Sequence, residues 1–357
     1  MKKEHEEERR PGPLARMRML LGVLFGKVRG SSVGSHLKDL WMLALPYQVA
    51  AVTTALVAVG FTKLFVWVEH RNVAMITAHP NWIFISAPLS FLVSWWMVRR
   101  FSPMAGGSGV PQVIAAAEVA DDAEKEDGSW RFLNVRIIFV RIVSTLAMVG
   151  GGGAIGREGP ILQIAGSVYR VVHRLLPPFW PKVSRRIMLV TGGAAGLSAA
   201  FNTPLGGIVF AMEELTRSHI GKFRTAVLSS VIISGMTAQW LLGPYLLLGY
   251  PQLERVGPSF MYTLLAISAV AGAMGVWSGK AVLLLDKVRR AIRGRVAQGT
   301  FVLLCALTFA CVVRSFGPMS LGSGETLLDQ YLFGAAPSPS IQDVAGRLLG
   351  SIVSTGA

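Results

Sequence analysis

The chain has 357 residues, of which 52% are hydrophobic and 15% charged, and its formal net charge is +15. A soluble domain carries about 25% charged residues, so the composition argues against a soluble globular protein, and disorder requires low hydrophobicity. The basic residues lie between apolar runs and not on one polar face, which argues against nucleic-acid binding. At about 20 residues per membrane helix, the length allows about ten spans.

The first 38 residues are predicted to form a basic, amphipathic cytoplasmic segment. They begin with mixed charges and lack the apolar core and cleavage site of a signal peptide. From residue 39 onwards we predict an all-α, polytopic membrane domain. Its long apolar runs lie at about 40–68, 82–98, 137–155, 187–201, 204–215, 225–248, 260–285 and 299–313.

Basic residues between the runs predict the orientation of the chain. They follow residue 98, fill the gap at 170–186, and precede the runs at 225 and 299. The other two loops, at about 69–81 and 249–258, hold only one arginine each. Under the positive-inside rule, the basic loops and the N-terminus are cytoplasmic.

Glycine and proline interrupt several apolar runs. Three glycines and a proline at 106–111 precede a short helix-like stretch at 112–120, six glycines lie at 150–160, and Pro204 starts another short run. Broken helices at membrane depth are tolerated where the backbone lines a cavity or is buried in protein. They indicate the binding site of a transporter.

The first motif that bears on chemistry is Gly107-Ser108-Gly109-Val110-Pro111. The glycines permit tight turns, and proline suits the first turn of a helix. A helix that starts here directs its free N–H groups and positive end towards Ser108, whose hydroxyl is a neutral donor for an anion. The alternative is a plain turn with a helix cap.

The second motif, Gly156-Arg157-Glu158-Gly159-Pro160, has the same order of glycine, polar residue and proline. A carboxylate between apolar segments is costly and is a functional candidate. Glu158 at a positive helix end could occupy an anion site as a tethered competitor, and its protonation would release the site. The alternatives are an ion pair between Arg157 and Glu158, or a helix cap.

Two further charged features fall within apolar runs. The segment that begins at Phe201 runs to Glu213 and Glu214, which are either an inner proton acceptor or a solvated helix end. Arg141 lies inside the run at 137–155, where it either attracts anions or pairs with an acid; we favour the pair.

Motifs of enzymes are absent from the sequence: it has no H-E-x-x-H, no Walker loop and no G-x-S-x-G. Cys305 and Cys311 lie six positions apart in one apolar run and are predicted to be packing residues. We therefore expect neither an enzyme nor a metal site.

Three motifs occur in a distinctive order: GGSGVP at 106–111, GREGP at 156–160 and GLSAAFNTPLGGIVFAMEE at 196–214. Together they resemble the CLC family of chloride channels and proton/chloride exchangers, most closely its bacterial exchangers, over about residues 40–357. The resemblance implies broken, tilted helices in an inverted repeat, and a homodimer with one ion pathway per subunit. It also implies chloride transport across a bacterial inner membrane without a cofactor.

The functional residues of the family can be carried over to matching positions. The resemblance implies that Glu158 is the gate, which competes with chloride and carries the proton, and that Glu214 is the inner proton glutamate. Family channels usually lack an acid at the latter position, so Glu214 favours an exchanger. The residues implied to hold the anion are Gly107, Ser108, Gly109, Gly156, Arg157 and Gly159.

The chain departs from the family near its last residue. Members carry a further G-x-F-x-P motif and a later anion-contacting tyrosine, whereas this sequence ends at Ala357, before the phenylalanine, and Tyr331 lies too early. We therefore expect a first half at about 39–250 and an incomplete second half at about 251–357. Three readings stay open: a proton/chloride antiporter, a proton-independent chloride channel, and a truncated remnant or partner subunit that does not transport.

Overall fold

The computed structural model describes residues 32–120, 128–177, 180–181, 183–215, 224–243, 257, 260–325, 328 and 340–356. Within these ranges the chain is helical and has no strand, which confirms the predicted all-α class. The helices are α1 Ser32–Ala78, α2 Ile83–Phe101, α3 Val110–Val119, α4 Val135–Gly150, α5 Glu158–Leu175, α6 Arg185–Ala200, α7 Pro204–Leu215, α8 Arg224–Leu242, α9 Phe260–Ala291, α10 Arg295–Phe316 and α11 Ile341–Gly356.

Helix lengths separate those that can cross a membrane from those that cannot. In the described ranges, α1, α2, α4, α8, α9 and α10 provide six stretches that are long and apolar enough to span it. The 47 residues of α1 extend about 70 Å, which exceeds the ~30 Å hydrocarbon core, so α1 must tilt or project from it. By contrast, α3 with 10 residues and α7 with 12 extend only about 15–18 Å.

The predicted breaks at glycine and proline are confirmed as the places where helices end. The short helix expected at 112–120 is α3. Residues 151–157 separate α4 from α5, and residues 201–203 separate α6 from α7. In the second of these breaks, Asn202 has a left-handed φ of 52°, a conformation that asparagine tolerates better than most residues.

The core is centred on α5 and α6, which pack closely against each other and against α1. An added Cβ at Gly192 would lie 2.9 Å from Tyr169 Cβ, and one at Gly196 would lie 2.5 Å from Ala165 Cβ. Tyr169 is fully buried and lies 2.6 Å from Ser230 Oγ through its hydroxyl. Small residues of this kind let membrane helices approach closely.

The predicted loop at 69–81 is wrong, because α1 continues as far as Ala78 and only residues 79–82 connect it to α2. Two polar residues in this stretch, Glu69 and Asn72, have partners inside the protein. Glu69 is only 3% exposed and accepts hydrogen bonds from Ser323. The amide of Asn72 donates to Gly150 O at 2.5 Å. These contacts allow α1 to continue as a helix past residue 69 with Glu69 and Asn72 buried.

The segment that follows α2 recurs after α10. Residues 101–109 (FSPMAGGSG) and 316–324 (FGPMSLGSG) are identical at six of nine positions. Each copy begins at the phenylalanine that ends the preceding helix and continues into a 3₁₀ turn, Pro103–Ala105 or Pro318–Ser320. The described chain therefore contains two related units.

A later helix is also alike in the two units. Both α4 and α11 have 16 residues, and each carries an arginine at its seventh position, Arg141 or Arg347. In each unit this helix packs against the helix that precedes the glycine loop, α2 for α4 and α10 for α11. The similarity thus extends beyond the loops to the way that each unit packs.

Candidate anion-binding site

The two glycine motifs meet backbone to backbone. An added Cβ at Gly109 would lie 2.5 Å from Gly159 O, and one at Gly159 would lie well inside 3.0 Å of Ser108 O. Real Cβ atoms essentially never approach so closely, so both positions require glycine. The structure thereby brings Ser108, Gly109 and Gly159, three predicted site residues, into one place.

Two helices start at this contact. Gly109 is the N-cap of α3, which begins at Val110, and Arg157 is the N-cap of α5, which begins at Glu158. The first N–H groups of a helix have no partner within the helix, and its N-terminus carries about half a positive charge. Because Gly109 touches Gly159, both positive ends lie beside the same small region, an arrangement that favours an anion.

The loop before α3 presents a serine. Gly107 and Gly109 have φ angles of 79° and 98°, a region that favours glycine. Ser108 between them is exposed, and its hydroxyl has no hydrogen-bond partner among the described residues. The hydroxyl is therefore available to a ligand.

Arg141 stabilises the loop that precedes α3. The expectation that it pairs with an acid is wrong within the described ranges. Its guanidinium donates to Ala105 O and, at 2.5 Å, to Gly107 O, and the residue is only 5% exposed. A planar guanidinium can reach two carbonyls at once because it carries five donors in a fixed arrangement. Arg141 thus holds the backbone on either side of Gly106.

Two glutamines that the sequence analysis did not single out also hold this region. Gln163 is buried in α5 and donates to Met104 O at 2.7 Å and to Phe132 O at 3.3 Å. Gln112 donates to Gly106 O at 2.5 Å. A fully buried glutamine within an apolar helix face is the signal that could have identified Gln163, since buried amides need partners.

We expect Arg141→Leu to lower the free energy of unfolding by about 1–3 kcal/mol, because two loop carbonyls lose their donor. Thermal unfolding in detergent would measure this. Arg290→Leu is the matched control, since the Arg290 side chain is 78% exposed in a pair with Asp286 and such pairs contribute about 0–1 kcal/mol. Equal losses for the two variants would contradict the role given to Arg141.

Glu158 lies at the first turn of α5 with its carboxylate turned back over the preceding residues. An added Cβ at Gly156 would lie 2.5 Å from Glu158 Oε2. Glu158 is partly exposed and Gly156 is exposed. A carboxylate is stabilised at a helix N-terminus by the macrodipole. Glu158 therefore sits at one of the two positive ends that meet at the glycine contact.

Arg157 has a different partner from the one considered in the sequence. Its Nη1 lies 3.1 Å from Glu325 Oε2, whereas the described residues show no salt bridge between Arg157 and Glu158, the alternative considered from the sequence. Arg157 is 5% exposed, and Glu325 directly follows the second glycine loop at 322–324. The guanidinium is thus held beside the start of α5 by the second unit of the chain.

The remaining predicted residue, Glu214, lies in the last turn of α7, and its side chain is outside the described residues. Its neighbour Glu213 is exposed, as expected for a solvated helix end. The proposed proton role of Glu214 therefore stays a prediction.

Comparison with known proteins gives one family. The family model described as voltage gated chloride channel matches residues 89–357. The H(+)/Cl(-) exchange transporter ClcA of Citrobacter koseri is 28% identical over 297 residues, which are 80% of this chain and 60% of that protein. ClcA of Klebsiella pneumoniae is 30% identical over 305 residues, 82% of this chain and 62% of that protein. The chain thus spans about three-fifths of the length of these curated relatives.

Solved structures share the fold. A slow cyanobacterial Cl−/H+ antiporter superposes with a TM-score of 0.69 at 19% identity, covering 88% of this chain and 73% of the antiporter. A CLC-type fluoride/proton antiporter gives a TM-score of 0.68 at 21% identity, covering 91% of this chain and 77% of the antiporter. These likenesses confirm the expected architecture of broken membrane helices.

Proposed function

The chain belongs to the voltage-gated chloride channel (CLC) family of multi-pass membrane proteins, and we propose that it serves the exchange of chloride for protons across a membrane. The observation that carries the proposal is the contact of Gly109 with Gly159, which joins the starts of α3 and α5 with Glu158 at one of them. The relatives named as exchange transporters support the same activity.

In the proposed site the anion lies between the two helix starts. Ser108 donates its hydroxyl, and the glycines at 107, 109, 156 and 159 let the ion approach the backbone closely. Arg157 raises the local potential, although its pair with Glu325 reduces that effect. Neutral donors and partial helix charges suit transport, because they replace water around the ion without binding it too tightly to leave.

Glu158 supplies the coupling in this proposal. Its ionised carboxylate competes with chloride for the positive helix ends, since both are anions drawn to the same place. Protonation removes the charge and with it the attraction, so the side chain leaves and chloride enters. Binding of a proton thereby changes the occupancy of the anion site.

Further proposals concern the whole protein. Glu214 takes the inner proton, the first half of the membrane domain lies at about 39–250 and the second at about 251–357, and residues 1–38 are cytoplasmic. The domain forms a homodimer in a bacterial inner membrane. Support for the two halves comes from the repeated segment at 101–109 and 316–324.

Reconstitution in liposomes tests the proposed exchange. A chloride gradient across vesicles that contain the protein should drive protons uphill, with a fixed ratio of chloride to protons. Chloride flux without uphill proton movement would indicate a channel instead, and no flux of either ion would indicate a protein that does not transport by itself.

The adjacent glutamates of α7 offer a matched pair for the same assay. Glu214→Gln should abolish proton movement and leave chloride flux, whereas Glu213→Gln, at an exposed position, should leave both unchanged. Loss of both fluxes in Glu214→Gln would assign that residue a structural role.

A further inference from the structure

The second glycine loop, at 322–324, has glycine φ angles similar to those of the first loop, at 107–109. Gly322 and Gly324 have φ angles of 63° and 89°, against 79° and 98° at the corresponding positions of the loop at 107–109. A serine lies between the glycines in both loops, and a 3₁₀ turn precedes both. Each copy therefore presents a serine hydroxyl and a backbone amide between two left-handed glycines.

The two loops differ in what they hold. In the second, the amide and the hydroxyl of Ser323 both face Glu69, with Ser323 Oγ 2.9 Å from Oε1 and 3.1 Å from Oε2. Glu69 belongs to α1, 254 positions earlier in the chain. In the first loop, the Ser108 hydroxyl has no protein partner within the described ranges. One loop is filled by a carboxylate, and the other is open.

The surroundings of Glu69 are those of a built anion site. An added Cβ at Gly322 would lie well inside 3.0 Å of Glu69 Oε1, so glycine is needed for the carboxylate to approach. Arg347 interacts electrostatically with Glu69 and donates to Leu321 O at 2.6 Å. Because burial of a carboxylate is costly unless it is paired and hydrogen-bonded, these donors and this cation are what allow Glu69 to be only 3% exposed.

We propose that the loop at 322–324 is a second anion-binding loop, whose ligand in the unmodified protein is the Glu69 carboxylate, and that a small monovalent anion such as formate occupies it when this carboxylate is removed. The proposal goes beyond chloride exchange and does not depend on it. The Glu69 carboxylate is an anion that belongs to the protein itself. It occupies the loop of the second unit, whereas the corresponding loop of the first unit has room for a free anion.

The filled loop also has a consequence for the candidate site. Glu325 directly follows Gly324, and it pairs with Arg157, the residue before Glu158. Glu69 thereby fixes the loop from which Glu325 reaches the start of α5.

The test is thermal unfolding of the purified chain in detergent, with sodium formate replacing sodium gluconate at constant ionic strength. Glu69→Ala should unfold at roughly 5 °C lower, or more, in gluconate, and formate should restore at least half of this loss in a saturable manner. The unmodified protein reports any binding at the first loop, so the difference between the two titrations is the measured quantity. Glu69→Gln, whose amide fills the space, should not respond beyond the unmodified protein.

Ser323→Ala in the Glu69→Ala background should abolish the restoration, because the hydroxyl donor is gone. An identical formate response of Glu69→Ala and the unmodified protein would overturn the proposal. If Glu69→Ala does not fold in gluconate, a double-mutant cycle between Glu69→Gln and Ser323→Ala replaces it. Their effects on melting temperature should then be clearly less than additive, and strict additivity would equally overturn the proposal.

Discussion

Gly159→Ala should destabilise the protein by about 3 kcal/mol or more and abolish chloride transport. The added methyl group would lie well inside 3.0 Å of Ser108 O, a backbone atom that cannot turn aside as a side chain can. Overpacking usually costs about 1–3 kcal/mol, and a clash with backbone belongs at the upper end. Relief requires the starts of α3 and α5 to separate, which disassembles the anion site. Thermal unfolding in detergent and chloride flux in liposomes would measure the two effects.

Gly279→Ala is the matched control for this variant. Gly279 lies in α9, and an added Cβ there would have nothing within 4 Å. Since alanine favours helix over glycine by about 1 kcal/mol, this control should be neutral or slightly stabilising. A Gly159→Ala protein that is as stable as the control and still moves chloride would show that the two loops are not held in contact.

Glu158→Gln should reduce uphill proton movement to the background level while chloride continues to pass. The amide has the shape of the protonated acid but carries no charge, so it neither competes with chloride at the positive helix ends nor binds a proton. Because the carboxylate in the structure already lies over Gly156, beside its own helix start, the change acts where the anion is proposed to bind. Proton uptake against a chloride gradient in liposomes is the direct measurement.

Glu118→Gln provides the control for the loss of a carboxylate alone. Glu118 is exposed in the last turn of α3, at the other end of a helix that starts at the site. Coupling should be unchanged in this variant. Unaltered coupling in Glu158→Gln as well would remove Glu158 from the mechanism, whatever its effect on chloride flux.

The helices and the helix starts at the two glycine motifs could be predicted because their signals are local. Apolar length predicts spans, and a glycine–polar–glycine–proline order predicts a helix start wherever it occurs. The partners of Arg141 could not be predicted in this way. It binds carbonyl groups of Ala105 and Gly107, and every residue offers a carbonyl, so no residue type in the sequence indicates it.

The contact of Glu69 with Ser323 could not be predicted for a different reason. Glu69 stands near the polar end of an apolar run, where a charged residue normally indicates a loop in water. Its partner, Ser323, lies 254 positions away, and only the repeat of 101–109 at 316–324 connects that distant loop with anion binding. A search for internal similarity would have found the loop, although not the carboxylate that fills it.

The long separation of Glu69 from Ser323 has a consequence for how the protein is made. Helix α1 is synthesised and inserted well before the ribosome reaches residue 323, so the carboxylate passes through most of translation without its final donors. An unpaired carboxylate is costly within the hydrocarbon core. During biogenesis Glu69 must therefore stay in contact with water until the second glycine loop has been made.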